Sequence, residues 1–177
     1  MQKWNNQYRT SSFRATWWDY TKDGVYHVTI CTKDKTHFFG HIANATLQAT
    51  PAADIAAKIW FEIPTMFKHA TLDNFVVMPN HIHGIVALED TSSEIQLLTP
   101  KTGGCTGKYN PMLSNNLARV VRWYKGRVSF ELQKQNIPFA WQSLYWDNII
   151  TNFKEYETVS AYIDNNPANW ETDELYS

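Results

Sequence analysis

The chain contains only two cysteines, and they lie far apart. Cys31 falls in an apolar run and Cys105 in a glycine-containing stretch, a spacing that matches no cysteine-based metal site. We therefore expect reduced thiols in the cytoplasm. The sequence also lacks the basic-then-apolar start of a secretory signal and any apolar run long enough to span a bilayer. These absences predict a cytoplasmic protein with no membrane partner.

Neither sign of charge dominates, and neither glycine nor proline is abundant. The 177 residues carry a formal net charge of -1 and contain 7 glycines and 7 prolines. A protein that coats duplex DNA is usually basic, so this balance disfavours extensive non-specific duplex binding. The 44% hydrophobic content argues against disorder and predicts a single globular domain over residues 1–177. The 8 tryptophans and 9 tyrosines can serve as core filling or as platforms for bases.

Alternating and helical periodicities predict an α+β fold. Strands are predicted over residues 24–32, 72–78, 81–88 and within 141–151. Helices are predicted after the Thr50 cap, over 117–128 and after the Asn152 cap. The resulting order is strand, helix, hairpin, helix, strand, helix. This order predicts a ferredoxin-like (RRM-like) antiparallel sheet with helices on one face and an extra C-terminal helix.

Two segments carry no regular pattern. Residues 1–23 predict an irregular lead-in, and residues 89–110, rich in serine, threonine and glycine, predict a long flexible loop. Pro64 is expected to kink or end the first helix.

The most informative motif is the triplet His81-Ile82-His83. It lies within an apolar run that predicts a strand, where both histidines point to one face and Ile82 to the other. Two buried imidazoles side by side are costly unless something bonds to them, and a divalent metal is a natural partner. Taken alone, the triplet leaves two interpretations open: a metal site, or two structural histidines with satisfied hydrogen bonds.

The last predicted helix supplies an oxygen ligand and a nucleophile. Tyr162 and Asn166 are four residues apart and share one helix face. An amide oxygen suits Mg²⁺ or Mn²⁺, and a phenol oxygen can attack phosphorus to form a covalent ester. His81, His83 and Asn166 would then hold the cation while Tyr162 attacks. A packed tyrosine ring and a helix stop before proline are the simpler interpretations of the same spacing.

A basic helix face follows the long loop. An apolar stripe is formed by Leu117, Val120, Val121, Tyr124 and Val128. Arg119 and Arg122 lie opposite this stripe with Trp123 close by, and Lys125 and Arg127 flank it. These five residues are either an ordinary solvated face or a phosphate-tracking DNA surface with an aromatic beside it.

Two signatures together resemble a known family. They are Met78-Pro79-Asn80-His81-Ile82-His83 and Tyr162-Ile163-Asp164-Asn165-Asn166-Pro167, with Trp141-Gln142 and Asp147-Asn148-Ile149-Ile150 between them. The set resembles the single-tyrosine HUH transposases, in particular the REP-associated tyrosine transposases. Unlike many members of that family, this chain is not basic, and Glu171, Asp173 and Glu174 follow Trp170.

The resemblance implies an activity and a role for each residue. Members of the family cut and rejoin single-stranded DNA near small hairpins with Mg²⁺ or Mn²⁺, forming a 5′-phosphotyrosine and a free 3′-hydroxyl on a ferredoxin-like fold. It implies that His81 and His83 bind the metal, that Asn166 is the third protein ligand and that Tyr162 is the nucleophile. The expected partner is single-stranded DNA with a REP-like hairpin, bound by a monomer or a homodimer.

Local arguments favour Tyr162 over the other tyrosines. Tyr124 lies in the middle of the apolar stripe, where its ring is more useful as core. Tyr156 belongs to the core stripe of the last helix, and Tyr145 has no ligand partner one turn away.

Two alternatives to a metal-dependent strand transferase remain. One is a domesticated protein that binds structured nucleic acid on the same fold without cutting it. The other is a metallo-hydrolase of a small phosphoester, which would use the histidine pair with a metal-bound water and need no tyrosine.

Overall fold

The computed structural model describes residues 23–89 and 116–177, with the backbone of two short strands before them. These strands, β1 (Lys3–Trp4) and β2 (Gln7–Tyr8), pair antiparallel. The predicted lead-in over 1–23 and loop over 89–110 lie almost entirely outside the described residues.

A four-stranded antiparallel sheet forms the centre of the described fold. Its strands are β3 (Gly24–Cys31), β6 (Ala70–Val77), β7 (His81–Leu88) and β8 (Trp146–Ile150). They are ordered β6-β7-β3-β8, so the two central strands are β7 and β3. The predicted hairpin between β6 and β7 is confirmed, and the Met78 amide donates to the His81 carbonyl across its turn at 2.8 Å. In the register of β3 with β7, Thr29 stands opposite His83.

Two helices pack on one face of this sheet through the main apolar core. They are α1 (Pro51–Phe61), followed by the short α2 (Ile63–Met66), and α3 (Leu117–Lys134). The Thr50 side chain caps α1 by accepting from the Ala53 amide, and α1 ends before Pro64, as expected. The predicted stripe of α3 is buried, and alternate residues of β3 and β7 face it: Tyr26, Val28, Ile30, Ile82 and Val86.

The last helix, α4 (Phe153–Asn165), lies on the other face of the sheet. The Asn152 side chain caps it by accepting from the Glu155 amide at 3.0 Å. Ile163 is fully buried and packs with Ile85 of β7 and Ile150 of β8. A 3₁₀ segment, Pro167–Thr172, follows directly. The predicted ferredoxin-like sheet is therefore confirmed, with α1 and α3 on one face and α4 on the other.

A small hairpin that the sequence did not predict connects β3 to α1. Its strands are β4 (Gly40–Ala43) and β5 (Thr46–Ala49). The two turn residues, Asn44 and Ala45, both have positive φ angles, of 51° and 58°. Such turns usually carry glycine at one of these positions, and alanine there hides the turn from sequence inspection.

Across residues 23–89 and 116–177, no helix is both long and apolar enough to cross a membrane.

Gly84 allows α1 to approach the centre of β7. A Cβ atom at this position would overlap the indole ring of Trp60, which is buried and stacks on Phe75 with ring centroids 4.8 Å apart. We expect Gly84→Ala to lower the free energy of unfolding by about 1–3 kcal/mol, because a packed ring has little room to move. Urea denaturation measures this change.

Gly126→Ala is the matched control for this prediction. Gly126 lies within α3, and a Cβ there meets no atom within 4 Å. Alanine should therefore stabilise the protein by about 0.5–1 kcal/mol through helix propensity. A neutral or stabilising Gly84→Ala would contradict the close contact between β7 and Trp60.

Candidate active site

The two histidines of the triplet lie side by side on the α4 face of the sheet. His81 is fully buried and His83 is 3% exposed. Their Nε2 atoms are 3.0 Å apart. Alternation along β7 places both rings on this face, while Ile82 and Gly84 face α1 and α3.

The other ring nitrogen of each histidine has a partner. The Nδ1 of His81 lies 2.7 Å from the side-chain oxygen of Asn80. The Nδ2 of Asn80 in turn donates to the Leu175 carbonyl. His81 therefore donates from Nδ1, and its Nε2 lone pair remains available. The Nδ1 of His83 lies 2.9 Å from the Thr29 hydroxyl and 3.1 Å from Nε2 of His27. Such outer contacts are typical of histidines that bind metals.

Burial keeps this histidine cluster neutral. Desolvation lowers the pKa of His27 and that of His81 to about 4. It lowers the pKa of His83 well below the ordinary value, with His81 and His27 adding to the effect. All three imidazoles are therefore uncharged at neutral pH, which is the form that binds a cation.

Helix α4 brings Tyr162 to the histidine pair and places Asn166 within hydrogen-bond distance of Asp173, which also bonds to Tyr162. The Tyr162 hydroxyl lies 3.3 Å from Nε2 of His83, and the residue is 44% exposed. Asn166, which caps the C-terminal end of α4, is 2% exposed. Its buried Oδ1 has no hydrogen-bond donor among the described residues. An unsatisfied buried oxygen costs on the order of 1–3 kcal/mol, a cost that a bound cation would remove.

These residues fit a divalent metal ion. Neighbouring ligands about 2.1 Å from an octahedral ion lie about 3.0 Å apart. That is the separation of the two histidine nitrogens. A donor-free amide oxygen suits Mg²⁺ or Mn²⁺, and neutral imidazoles are ligands of divalent transition metals.

Asp173 also reaches the site, although its sequence context gave no sign of this. Its Oδ2 accepts hydrogen bonds from the Tyr162 hydroxyl at 3.1 Å and from Nδ2 of Asn166 at 2.9 Å. Its carboxylate, together with ligand atoms of His81 and His83, forms a group in which all atoms lie within 4.8 Å of one another. Asp173 follows a 3₁₀ segment, where no regular periodicity indicates which way a side chain points.

Three other contributors were missed: His27, Thr29 and Asn80. His27 and Thr29 alternate along β3 and share one face, which the sequence pattern alone could have shown. Their contact with His83 depends on the register between β3 and β7, which no pattern within one strand determines.

Tyr162 is held as a neutral phenol. Burial raises its pKa to about 12, and the charge of Asp173 and its hydrogen bond add to the effect. The rival tyrosines are placed differently. Tyr124 is fully buried on the opposite face, where its hydroxyl donates to the Ala56 carbonyl, and the Tyr156 hydroxyl donates to Asp73.

An open cavity of about 570 Å³ gives access to Tyr162. It is lined on one side by His27, Thr29, His83 and Trp146, and on the other by residues 172–175. This volume is within the range of pockets that hold small ligands.

The predicted basic surface lies away from this cavity. Arg119, Arg122, Trp123 and Arg127 line a shallow groove with Met66 and Phe67. This groove is on α3, which packs on the face of the sheet opposite His81 and His83. Lys125 does not line the groove, because its ammonium donates to the carbonyls of Gln142 and Ser143 instead. The structure thus groups four of the five predicted residues and brings none of them to Tyr162.

The chain has the fold of a REP-associated tyrosine transposase. A structure of such a transposase bound to a REP hairpin matches with a TM-score of 0.60, covering 91% of this chain and 74% of that chain. The two sequences are 17% identical, so the match defines the fold alone. For the fold, it confirms the resemblance inferred from the two signatures.

The chain belongs to the family of a Haemophilus influenzae protein described as an uncharacterized protein. The two are 35% identical over 167 residues, which are 93% of this chain and 92% of the relative. No protein-family model matches the chain. The description of this relative carries no activity.

The neutral histidine cluster predicts acid sensitivity of the metal-free protein. Between pH 6.5 and about 4, unfolded His27 and His81 bind protons that the folded protein excludes. The free energy of unfolding should therefore fall as the pH drops through this window, by at most about 1.4 kcal/mol per pH unit for each histidine. Thermal unfolding in EDTA at several pH values measures the slope.

His27→Gln should reduce this slope, because one of the excluded protons is lost. His41→Gln, at an exposed position on β4, removes a histidine without touching the cluster and should leave the slope unchanged. Equal slopes for the parent protein and His27→Gln would contradict the lowered pKa of His27.

Proposed function

We propose that the protein is a metal-dependent single-stranded DNA endonuclease and strand transferase, a transposase that acts near hairpins. The observation that carries this proposal is the Tyr162 hydroxyl 3.3 Å from Nε2 of His83. Asn166, whose side-chain oxygen has no donor among the described residues, is linked to Tyr162 through the Asp173 carboxylate. The transposase fold, found in a protein bound to a REP hairpin, supports it. DNA of that kind would be met in the cytoplasm, the location expected from the sequence.

His81, His83 and Asn166 are proposed to hold one Mg²⁺ or Mn²⁺ ion. Such an ion, when bound, polarises the scissile phosphate and stabilises the charge that develops on the leaving oxygen. Asn80 orients the ring of His81, and Thr29 orients the ring of His83, each through a contact with the Nδ1 atom of the histidine. Burial already keeps the imidazole rings of His81 and His83 neutral, so neither ring has to lose a proton before it binds the cation.

Tyr162 is proposed to attack the phosphorus through its phenol oxygen. A bond forms between this oxygen and phosphorus, and the bond from phosphorus to the 3′ oxygen breaks. The products are a 5′-phosphotyrosine and a free 3′-hydroxyl, on which the phenolic proton ends in the overall balance. The ester keeps the energy of the cleaved bond, so a second 3′-hydroxyl can rejoin the strand by the reverse reaction.

Replacing the nucleophile tests this chemistry. Single-stranded hairpins with randomised flanks, labelled at the 3′ end, should give a covalent protein–DNA adduct with Mn²⁺ on a denaturing gel. Tyr162→Phe should abolish the adduct, because it removes the phenol oxygen that lies 3.3 Å from Nε2 of His83. Tyr156→Phe, on the same helix but bonded to Asp73, should retain it. An adduct with Tyr162→Phe would show that the nucleophile is assigned wrongly.

Two further measurements distinguish the alternatives to this function. Hairpin binding without any adduct, undiminished in His81→Ala and His83→Ala, would indicate a domesticated binding protein. Full turnover of a small phosphodiester such as bis(p-nitrophenyl) phosphate by Tyr162→Phe would indicate a metallo-hydrolase.

The groove on α3 is proposed to bind the phosphates of the hairpin. Its arginines lie beside the indole of Trp123, and the Arg119 guanidinium lies 5.8 Å from the Phe67 ring centroid. Since this groove and Tyr162 are on opposite faces of the sheet, a bound DNA would have to pass around a sheet edge to contact both.

Arg122→Ala tests the groove. If Arg122 neutralises one phosphate, its loss should weaken hairpin binding several-fold. It should also reduce the slope of the logarithm of affinity against the logarithm of salt concentration by about one. Fluorescence anisotropy at several salt concentrations measures both quantities. Lys134→Ala is the control, at an exposed position about 18 Å along the same helix. Parental affinity and slope in Arg122→Ala would exclude this residue from the DNA interface.

A further inference from the structure

We propose that Asp173 is a fourth protein ligand of the divalent cation, so that the segment after α4 completes the metal site. This proposal rests on the metal site of the proposed function and adds a charged ligand to it. Neither signature that carries the family resemblance includes Asp173.

The position of the Asp173 carboxylate fits direct binding to the ion. Its ligand oxygen and one nitrogen each from His81 and His83 lie within 4.8 Å of one another. Ligands on opposite sides of an octahedral ion with bonds of about 2.1 Å are about 4.2 Å apart. A shift of about an ångström in the side chain therefore brings all three atoms into contact with one ion.

The carboxylate is oriented towards the site before any cation binds. Its Oδ1 accepts from the Leu175 amide at 2.6 Å, which turns Oδ2 towards Tyr162 and Asn166. Asn80 links this segment to the histidines, because its amide group contacts both His81 and the Leu175 carbonyl. One side chain thus holds a predicted metal ligand and the segment that carries Asp173.

The chemistry of the ligand set also favours a carboxylate. Two imidazoles and an amide carry no charge, whereas Mg²⁺ and Mn²⁺ prefer sites with at least one carboxylate oxygen. Within the described residues, Asp173 forms no salt bridge with lysine or arginine. Its charge close to two neutral histidines is therefore available to a cation.

Mn²⁺ titration tests the proposal without relying on DNA cleavage. We expect Asp173→Asn to weaken Mn²⁺ binding by at least about tenfold in isothermal calorimetry, because the charged ligand is lost while an Oδ1 acceptor for Leu175 remains. Glu171→Gln removes the same charge from an exposed residue two positions earlier, which does not line the cavity, and should change the affinity by less than about twofold. His81→Ala should remove high-affinity binding altogether.

Amide hydrogen exchange gives a second readout that needs no substitution. If Asp173 binds the ion, Mn²⁺ should slow exchange at the Leu175 amide, which donates to the same carboxylate. This slowing should be absent in Asp173→Asn.

The outcomes distinguish the two proposals. No Mn²⁺ binding by the unmodified protein would overturn the metal site and the role of Asp173 together. Binding lost in His81→Ala but unchanged in Asp173→Asn, with no slowing at Leu175, would overturn only the role of Asp173.

Discussion

The site depends on two neutral imidazoles that lie in contact on the face of β7 that packs against α4. His81 and His83 have their Nε2 atoms 3.0 Å apart where water has little access. Burial disfavours protonation of either ring. Two facing lone pairs in such a place need a proton or a cation between them. The groups that approach them, the Tyr162 hydroxyl and the Asp173 carboxylate, both carry oxygen.

The alternation of β7 divides the molecule into a supporting face and a chemical face. Ile82 and Val86 enter the core with α1 and α3, and Gly84 lets Trp60 lie against the strand. The histidines are left to the opposite face, where α4 is anchored by Ile163. This division explains why the basic groove of α3 is separate from the tyrosine. Under the proposed function, recognition and cleavage of DNA would use different faces of one sheet.

Polar contacts hold the chemical face together from three directions. Asn80, at the turn before β7, orients His81 and binds the Leu175 carbonyl. Thr29 and His27 of β3 hold His83 from the neighbouring strand. Asp173 joins Tyr162 and Asn166 from the segment after α4. Because the contacts of Asn80 with Leu175 and of His83 with Thr29 and His27 link residues distant in sequence, the geometry of the site depends on the whole sheet being formed.

Local chemistry in the sequence determined the helices, the main strands and the residues that share a face. Periodicity placed His81 with His83 and Tyr162 with Asn166, because both relations arise within one element. The β4–β5 hairpin was missed, since its turn uses Ala45 at a positive φ angle where glycine is the usual signal. Tertiary structure alone decided that Asp173 lies at the site, that His27 and Thr29 support His83, and that Lys125 leaves the basic groove. These contacts depend on strand register and on the path of irregular segments, which no periodicity within one element encodes.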